Sequence, residues 1–384
     1  MRIILLFLIT GKLVAQDSLN FFKPYILSNH PLGVFMSRIN HNFSCHPSSK
    51  KIAFTLSRGN VWLPFATSYL PNDVSIQKEF EEIIWHYRPA EFERRGITNY
   101  RSREIEADGI FSTYFITFKS PLNKKFDVSS NIRFFSLTGG SVPYSLLTSD
   151  EFIEWFHSNI AGGEDAFGRK NQPFGEAKFI YKDVNNQEIK LKKNDFLISE
   201  FTNSINYYPT WKTGRTHFNF SGLFGGAQLN SSVQIDVGFS GSAIRQFRLK
   251  KNRLDWGCSL GVLFPSAFQK AAVIINNVNY LFSLENHLNY VFKGKKGDWI
   301  AGLNFHMQSN YHSMDERDFH VIKRRELTSH DHMGVSHLTR WLQGWTFIIG
   351  RNKGKWSIHW FLREDLWVDN APDAQTGWGI QRKL

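Results

Sequence analysis

The residues SSVQIDVGFS at positions 231–240 alternate between apolar and polar or small side chains. In an extended chain, successive side chains point to opposite faces. One face therefore carries Val233, Ile235, Val237 and Phe239, and the other carries Gln234, Asp236, Gly238 and Ser240. A period of two predicts a β-strand with two unlike faces.

The same alternation recurs along most of the chain, and no long helical pattern interrupts it. We predict twelve strands, near residues 50–64, 104–119, 126–136, 197–209, 215–224, 231–247, 254–264, 276–293, 298–308, 336–350, 355–366 and 374–384. An even number of antiparallel strands of about ten residues is typical of a bacterial outer-membrane barrel. A soluble sandwich or lipocalin-like barrel has the same period, so alternation alone leaves both open.

The connections between strands favour the membrane barrel. Five short connections hold fifteen basic residues and no acidic one: Lys119, Lys124, Lys125, Lys212, Arg215, Arg248, Lys250, Lys251, Arg253, Lys293, Lys295, Lys296, Arg351, Lys353 and Lys355. The other connections are mostly long, chiefly residues 65–103, 137–196 and 309–335. Short periplasmic turns and long extracellular loops are the outer-membrane pattern. Aromatic residues follow three of the basic turns, where an interfacial belt is expected: Trp256, Trp299 and Trp356.

The sequence therefore predicts an all-β fold, an antiparallel transmembrane β-barrel of about 12 strands over residues 50–384. Residues 1–15 have a positive start, an apolar core and a small-residue exit, which predicts a cleaved signal peptide. Residues 16–49 are predicted to form an N-terminal periplasmic segment. Export and the barrel together predict the outer membrane of a Gram-negative bacterium. Cys45 and Cys258 are predicted to be free thiols, since the first precedes the barrel and the second faces lipid.

Composition narrows the function classes. The 384 residues include 46 Lys+Arg and 34 Asp+Glu, a net charge of +12. A third of the basic residues lie in the short turns rather than on one face with stacking aromatics, so we expect no nucleic acid as partner. Anionic lipid head groups beside the turns explain the excess better. The aromatic content of 15% excludes a disordered chain.

Several short motifs resemble one bacterial family. The opening Asn29-His30-Pro31-Leu32 looks like its start, and Asp108-Gly109 followed by FIEWFH (152–157) and Gly168-Arg169 resembles its third-strand region. Glu364-Asp365-Leu366 with Ala371-Pro372-Asp373 is similar to its C-terminus. The family is catalogued as domain of unknown function 3187. The resemblance implies an outer-membrane-like barrel without an established activity.

The strand alternation sends eleven ionisable side chains toward the barrel lumen: Asp127, Arg133, His217, Asp236, Asp255, Glu285, His287, His306, His359, Arg363 and Asp365. Buried charges must be hydrated or paired. A water-filled lumen and a salt-bridged plug both meet this need, and the sequence leaves both open.

Three other features invite a functional interpretation. A cluster in or beside one long loop offers ligands for a divalent metal, without a familiar spacing: His312, Asp315, Glu316, Asp318, His320, His330, Asp331, His332 and His337. The match Gly257-Cys258-Ser259-Leu260-Gly261 resembles a nucleophile elbow, but it lies inside a strand instead of at a strand-to-helix turn. Residues 149–160 predict a short amphipathic helix, in the barrel mouth, on the membrane surface, or as an ordinary loop helix.

We expect a porin-like channel or carrier for small solutes, with no cofactor, no metal and no catalytic residue. The expected partners are outer-membrane lipid, the barrel-assembly machinery and an unknown small solute. The alternatives are an outer-membrane enzyme acting on lipid or lipopolysaccharide, and a structural barrel without transport.

Overall fold

The computed structural model describes residues 23–25, 28, 30–84, 87–140, 147–161, 173–211, 216–229, 232–313, 316, 321–324, 333–365, 371–372 and 374–384. The predicted signal peptide lies outside these residues. The strands they contain are β1 (Lys51–Pro71), β2 (Tyr100–Pro121), β3 (Phe126–Thr138), β4 (Lys178–Lys182), β5 (Glu188–Lys192), β6 (Phe196–Tyr207), β7 (Thr216–Leu229), β8 (Ser232–Leu249), β9 (Asn252–Gln269), β10 (Leu281–Phe292), β11 (Asp298–Gln308), β12 (Val321–Arg324), β13 (Leu342–Lys353), β14 (Trp356–Glu364) and β15 (Gln375–Lys383).

Short helices connect some of the strands: α1 (Val74–Glu82), α2 (Arg88–Arg94), α3 (Asp150–Phe156) and α4 (Met333–Ser336). Within the described ranges, no helix is both long and apolar enough to cross a membrane.

Twelve strands form a closed antiparallel barrel, which confirms the predicted fold. The order around the barrel is β1, β2, β3, β6, β7, β8, β9, β10, β11, β13, β14 and β15. Strand β1 closes it, because Lys51 lies opposite Lys119 of β2 on one side and Lys383 of β15 on the other. Closure gives each barrel strand a partner on both sides, so the barrel presents no free edge.

Most predicted strands agree with the structure to within a few residues. Strand β10 begins at Leu281, later than predicted, because the preceding residues form an irregular loop in which the Asn277 amide donates to the Tyr311 carbonyl. Strand β13 begins at Leu342 because the residues before it form α4 and a 3-10 turn. Strands β1 and β2 continue beyond their predicted ends as a paired ribbon, with Pro71 opposite Tyr100.

The barrel has two different ends. Both termini of the barrel domain and the described residues 122–125, 208–211, 250–251, 293–297 and 354–355 lie at the short-turn end. The other end, the long-loop end, carries the described residues 72–84, 87–99, 139–140, 147–161, 173–195, 270–280, 309–313, 333–341, 365, 371–372 and 374, and Leu229 pairs with Ser232 there.

The hairpin β4–β5 and strand β12 were not predicted. Strand β4 pairs with residues 104–108 of β2, and β12 pairs with residues 66–69 of β1. The apolar side chains of the hairpin point toward the long-loop mouth, where Phe179, Tyr181 and Ile189 are buried. The hydroxyl of Tyr181 donates to the carbonyl of Ile274 at 2.8 Å, which fastens the hairpin to the β9–β10 loop.

The outer face of the barrel is apolar. Large apolar side chains on this face are between 45% and 61% exposed: Phe201, Ile205, Phe224, Phe239, Leu260, Phe282, Phe347, Ile349 and Ile358. Trp256, Trp299 and Trp356 are also exposed near the short-turn end, and the guanidinium of Arg351 lies 5.0 Å from the ring centre of Trp299. The inner face carries the polar side chains.

Candidate functional site

The barrel lumen contains a segment of the same chain. This lumen segment comprises residues 23–25, 28 and 30–50, and it packs against inward-facing side chains from the long-loop end to the short-turn end. The sequence predicted an N-terminal periplasmic segment over residues 16–49, whereas the described residues among them, 23–25, 28 and 30–49, lie inside the barrel. The polar residues of this segment do not alternate with apolar ones. The sequence therefore contained no pattern from which its location in the lumen could be predicted.

The lumen segment is extended after Met36, so its backbone groups need partners from the wall. The side-chain amide of Asn219 on β7 donates to the carbonyls of Asn42 (2.8 Å) and Ser44 (2.9 Å). At the short-turn end, the Ser48 amide donates to the carboxylate of Asp127 at 3.0 Å. The wall thus replaces the neighbouring strand that an extended chain would otherwise require.

An apolar cluster closes the long-loop end. Residues Pro31–Phe35 form a 3-10 turn, and the His30 ring accepts a hydrogen bond from the Leu32 amide at 3.2 Å. Beyond the turn, Phe35 contacts Phe135 and Phe179 of the wall and the hairpin, with ring centres 5.9 and 5.3 Å apart. This cluster holds the tip of the lumen segment by apolar burial.

Arg133 connects the segment to strands β3 and β6. Its guanidinium lies 3.0 Å from the carboxylate of Glu200 and donates to the carbonyls of Val34 and Met36 at 2.7 Å each. It also donates to the hydroxyl of Tyr25 at 2.9 Å. Arg133 and Glu200 are almost fully buried. Three of the hydrogen bonds that the guanidinium donates are accepted by the segment.

His41 lies in the middle of the lumen between hydroxyl groups. Its Nδ1 atom is 2.7 Å from Ser259 Oγ, and its Nε2 atom is 2.8 Å from Ser283 Oγ. Ser259 donates to the carbonyl of Gly241 at 3.1 Å and accepts from Ser242 at 2.8 Å. The contact between His41 and Ser259 is therefore one part of a network of hydroxyl and carbonyl groups in the lumen.

The two glycines around Ser259 make room for the segment. A Cβ atom at Gly257 would lie 2.5 Å from the Phe43 ring, and one at Gly261 would lie 2.7 Å from Ile39. Neither distance is compatible with a side chain in place. The Gly-x-Ser-x-Gly pattern is therefore explained by close approach of the lumen segment to β9, since Ser259 lies within a continuous strand.

An ion pair fixes the start of the segment. Lys23 Nζ lies 2.7 Å from the Glu285 carboxylate, which also accepts from the side-chain amide of Asn304 at 2.6 Å. The neighbouring His287 stacks on Phe43 of the segment, with ring centres 5.7 Å apart. Strands β10 and β11 thus contribute a second charged anchor.

A polar cluster surrounds Asp127 at the short-turn end. Its carboxylate accepts from Asn206 (2.7 Å) and Tyr208 (2.8 Å), and Lys119 Nζ lies 3.4 Å away. Lys119 in turn donates to the Asn42 side chain at 3.1 Å. Three buried partners therefore compensate the Asp127 charge, and two of them, Lys119 and Tyr208, also bind the side chain of Asn42 in the segment.

The lumen wall formed by β1, β11 and β13 is also polar, but some of its buried polar groups have no hydrogen-bond partner among the described residues. Among the described residues, the hydroxyls of Ser57 and Thr346 and both ring nitrogens of His306 are buried without a hydrogen-bond partner. These groups lie on β1, β13 and β11. The lumen segment is thus hydrogen-bonded mainly to one side of the barrel, from β2 to β10.

The structure places the predicted lumen residues on the inner side of the barrel. His217 is half-buried with its ring centre 5.2 Å from that of His46, and the other ten are buried: Asp127, Arg133, Asp236, Asp255, Glu285, His287, His306, His359, Arg363 and Asp365. Sequence reasoning missed Glu200, Lys119 and Asn219. The alternation of Glu200 with Phe201 and of Asn219 with Phe220 on neighbouring strands contained a signal for two of them.

The predicted metal cluster is only partly described. His320, His330, His332, Asp315, Asp318 and Asp331 lie outside the described residues. His312 Nδ1 lies 3.4 Å from Glu316, whose carboxylate pairs with Arg103 at 3.0 Å. Among the residues that the structure describes, no group of three ligands is arranged for a metal.

No protein-family model matches the chain, and no curated protein matches it. Solved structures do match. An outer membrane channel from Pseudomonas putida F1 is 7% identical over 88% of this chain and 96% of that chain, with a TM-score of 0.41. LpxR from Salmonella typhimurium is 7% identical over 87% and 100%, with a TM-score of 0.40. The transport unit of the autotransporter AIDA-I from Escherichia coli is 8% identical over 91% and 94%, with a TM-score of 0.39. At such low identity the likeness is one of fold alone.

Proposed function

We propose that this protein is an outer-membrane channel for small hydrated solutes and that the lumen segment is its displaceable plug. The membrane location is supported by the apolar outer face, because a soluble barrel would expose that face to water. The observation that carries the channel is the nature of the plug–wall contact, in which ion pairs and hydrogen bonds recur from Lys23 to Ser48 between patches of apolar packing.

Polar contacts suit a plug that moves. A hydrogen bond exchanged for one with water changes the free energy by only about 0.5–1.5 kcal/mol, whereas an unpaired buried polar atom costs about 1–3 kcal/mol. When the segment leaves, water replaces the bonds made by Asn219 and His41. Water also reaches Ser57, His306 and Thr346, which have no hydrogen-bond partner among the described residues while the plug is seated. These gains offset part of the cost of opening.

The chain connectivity sets the direction of opening. Lys50 joins the lumen segment to β1 at the short-turn end, so a released segment swings out on that side while Lys51 stays in the barrel. The apolar tip around Leu32 and Phe35 is the part whose release costs most, since its burial against Phe135 is lost. The tip therefore contributes most to holding the plug in the lumen.

The proposal is tested with the purified, refolded full-length protein in planar bilayers and in liposomes filled with sugars of increasing size. We expect discrete conductance steps with long closed intervals, and liposome swelling for the smaller sugars only. Protein-free liposomes are the control. Neither steps nor swelling from folded protein would contradict the channel. Lipid hydrolysis that is lost in Ser259→Ala would favour the enzyme instead.

A further inference from the structure

Helix α3 lies on the outer side of the barrel wall. On β1, Phe54 faces outward, since its ring lies 5.4 Å from the exposed Trp378. Asn60 is six residues further along the same strand and therefore shares that face. The side-chain amide of Asn60 donates to the Asp150 carboxylate at 2.7 Å and to the Thr148 carbonyl at 3.2 Å.

The wall beneath this loop is polar where lipid would otherwise contact it. Asn60, Asp108 and Ser112 lie on the outer face of β1 and β2, yet each is less than a tenth exposed. Ile110 lies between the last two and is fully buried. The loop that carries α3 thus covers a polar patch of the outer wall, which would be costly to expose to hydrocarbon.

Helix α3 buries two acidic side chains and exposes a large apolar one, whereas a helix in water usually does the opposite. Asp150 and Glu154, four residues apart, share the face that is buried against the wall and loop, with 1% and 7% of their surface exposed. Trp155 is 51% exposed, and Ile160 in the following π-helical turn is 60% exposed. Asp150 also accepts from the Gly175 amide at 2.8 Å, which fixes this orientation.

The height of the helix matches the edge of a membrane. Asn60 lies nine residues after Lys51 at the short-turn end. At about 3.3 Å per residue and a tilt of about 40°, this corresponds to roughly 23 Å along the barrel axis. The apolar band of an outer-membrane barrel is about 25 Å tall. Helix α3 therefore lies at the lipid boundary on the long-loop side.

We propose that α3 and the turn after it insert Trp155 and Ile160 among the acyl chains of the leaflet at the long-loop end. The acidic face clamps the loop to the wall, and the apolar face replaces the polar wall patch as the lipid-contacting surface. This inference rests on the membrane location in the proposed function, and it selects the membrane surface over the barrel mouth for this helix.

Spin-label accessibility tests the inference. Single cysteines are introduced by Trp155→Cys, Asn185→Cys and Phe224→Cys in a protein with Cys45→Ser and Cys258→Ser, and each is labelled with a nitroxide. Asn185 is the exposed polar control at the tip of the β4–β5 hairpin, and Phe224 is a reference on the outer barrel face. The reconstituted proteins are exposed to oxygen, which partitions into lipid, and to a water-soluble nickel chelate.

We expect the label at position 155 to collide more with oxygen than with nickel, as at position 224, and the ratio to be reversed at position 185. Nickel-dominated collisions at 155 with oxygen-dominated collisions at 224 would overturn the insertion of α3 alone. Nickel-dominated collisions at 224 as well would overturn the membrane location and, with it, this inference.

Discussion

The Nδ1 atom of His41 lies 2.7 Å from the Oγ atom of Ser259, which places a residue of the N-terminal segment at the centre of strand β9. The two residues are separated by 218 positions in the chain. Their contact shows that the lumen is filled by a separate piece of chain and not by the wall alone. The proposed channel therefore depends on how firmly this piece is held.

Asn219→Ala removes two wall hydrogen bonds that only the lumen segment receives. Leaving the carbonyls of Asn42 and Ser44 without this donor should weaken the seated state by about 1–3 kcal/mol, equivalent to roughly 5- to 150-fold in the open-to-closed ratio. Single-channel recording measures the open fraction directly. The control is Asn203→Ala, since Asn203 bonds to Ser130 on the outer face of the neighbouring strand. Equal open fractions in the two variants would contradict the role of Asn219.

The labelling rate of the Cys45 thiol measures whether the plug is seated in the lumen. Its side chain is 4% exposed and packs against Phe43 and Ile244. In a Cys258→Ser protein, we expect slow labelling of Cys45 by a water-soluble maleimide and faster labelling when Asn219→Ala is added. Mass spectrometry of quenched samples gives the rates. Rapid, complete labelling of Cys45 without the Asn219 change would show that the segment is not held in the lumen.

Arg363→Glu tests the closed state. Arg363 is 2% exposed and interacts electrostatically with Arg38 and with the carboxylates of Asp365, Glu285 and Glu364, so a carboxylate there faces three like charges against one opposite charge in a closed lumen. We expect a loss of about 3–5 kcal/mol and a lower melting temperature by circular dichroism. Arg248→Glu, at an exposed position near the end of β8, is the control. An unchanged melting temperature with a reversal potential shifted toward cations would mean that the lumen is open and hydrated.

The orientation of the barrel is tested with inserted protease sites. The basic short turns predict that the short-turn end faces the periplasm. A site in the turn at Gly354–Lys355 should be protected on intact cells, and a site at the exposed tip of the β4–β5 hairpin, near Asn186, should be cut. Cleavage at the turn and protection at the hairpin would reverse the orientation.

The barrel strands were predictable because a wall between lipid and a polar lumen imposes a period of two on every strand. Val233 to Phe239 shows this period, and the observed β8 contains it entirely. The hairpin β4–β5 was overlooked because its strands are only five residues long and because Ile180, between Phe179 and Tyr181, interrupts the alternation in β4.

The lumen segment was not predictable on the same grounds. Its partners lie on many strands, so its sequence follows no period, and Asn42 or His41 resembles any polar linker residue. The glycines at 257 and 261 contained a signal, but their meaning depends on the segment that approaches them. The charged residues of the wall could be predicted from the sequence. The lumen segment that binds to them could not.

A disulfide between the plug and the wall tests the central claim most directly. A Cβ atom at Gly261 would lie 3.2 Å from the Cγ2 atom of Ile39. This is near the distance of about 3 Å between one Cβ and the opposite sulfur in a disulfide. Ile39→Cys with Gly261→Cys, in a protein with Cys45→Ser and Cys258→Ser, should therefore form a bond that mass spectrometry identifies. The single-cysteine controls are Ile39→Cys alone and Gly261→Cys combined with Ile39→Ser, since the second change removes the Ile39 atoms that a side chain at position 261 would meet.

The measurement is single-channel conductance of this protein before and after reduction. With the segment fixed to β9, we predict that the oxidised protein shows no conductance steps and that a reductant restores them to the level of the single-cysteine controls. Conductance steps of the same size and frequency in fully oxidised, cross-linked protein would contradict a displaceable plug in the lumen.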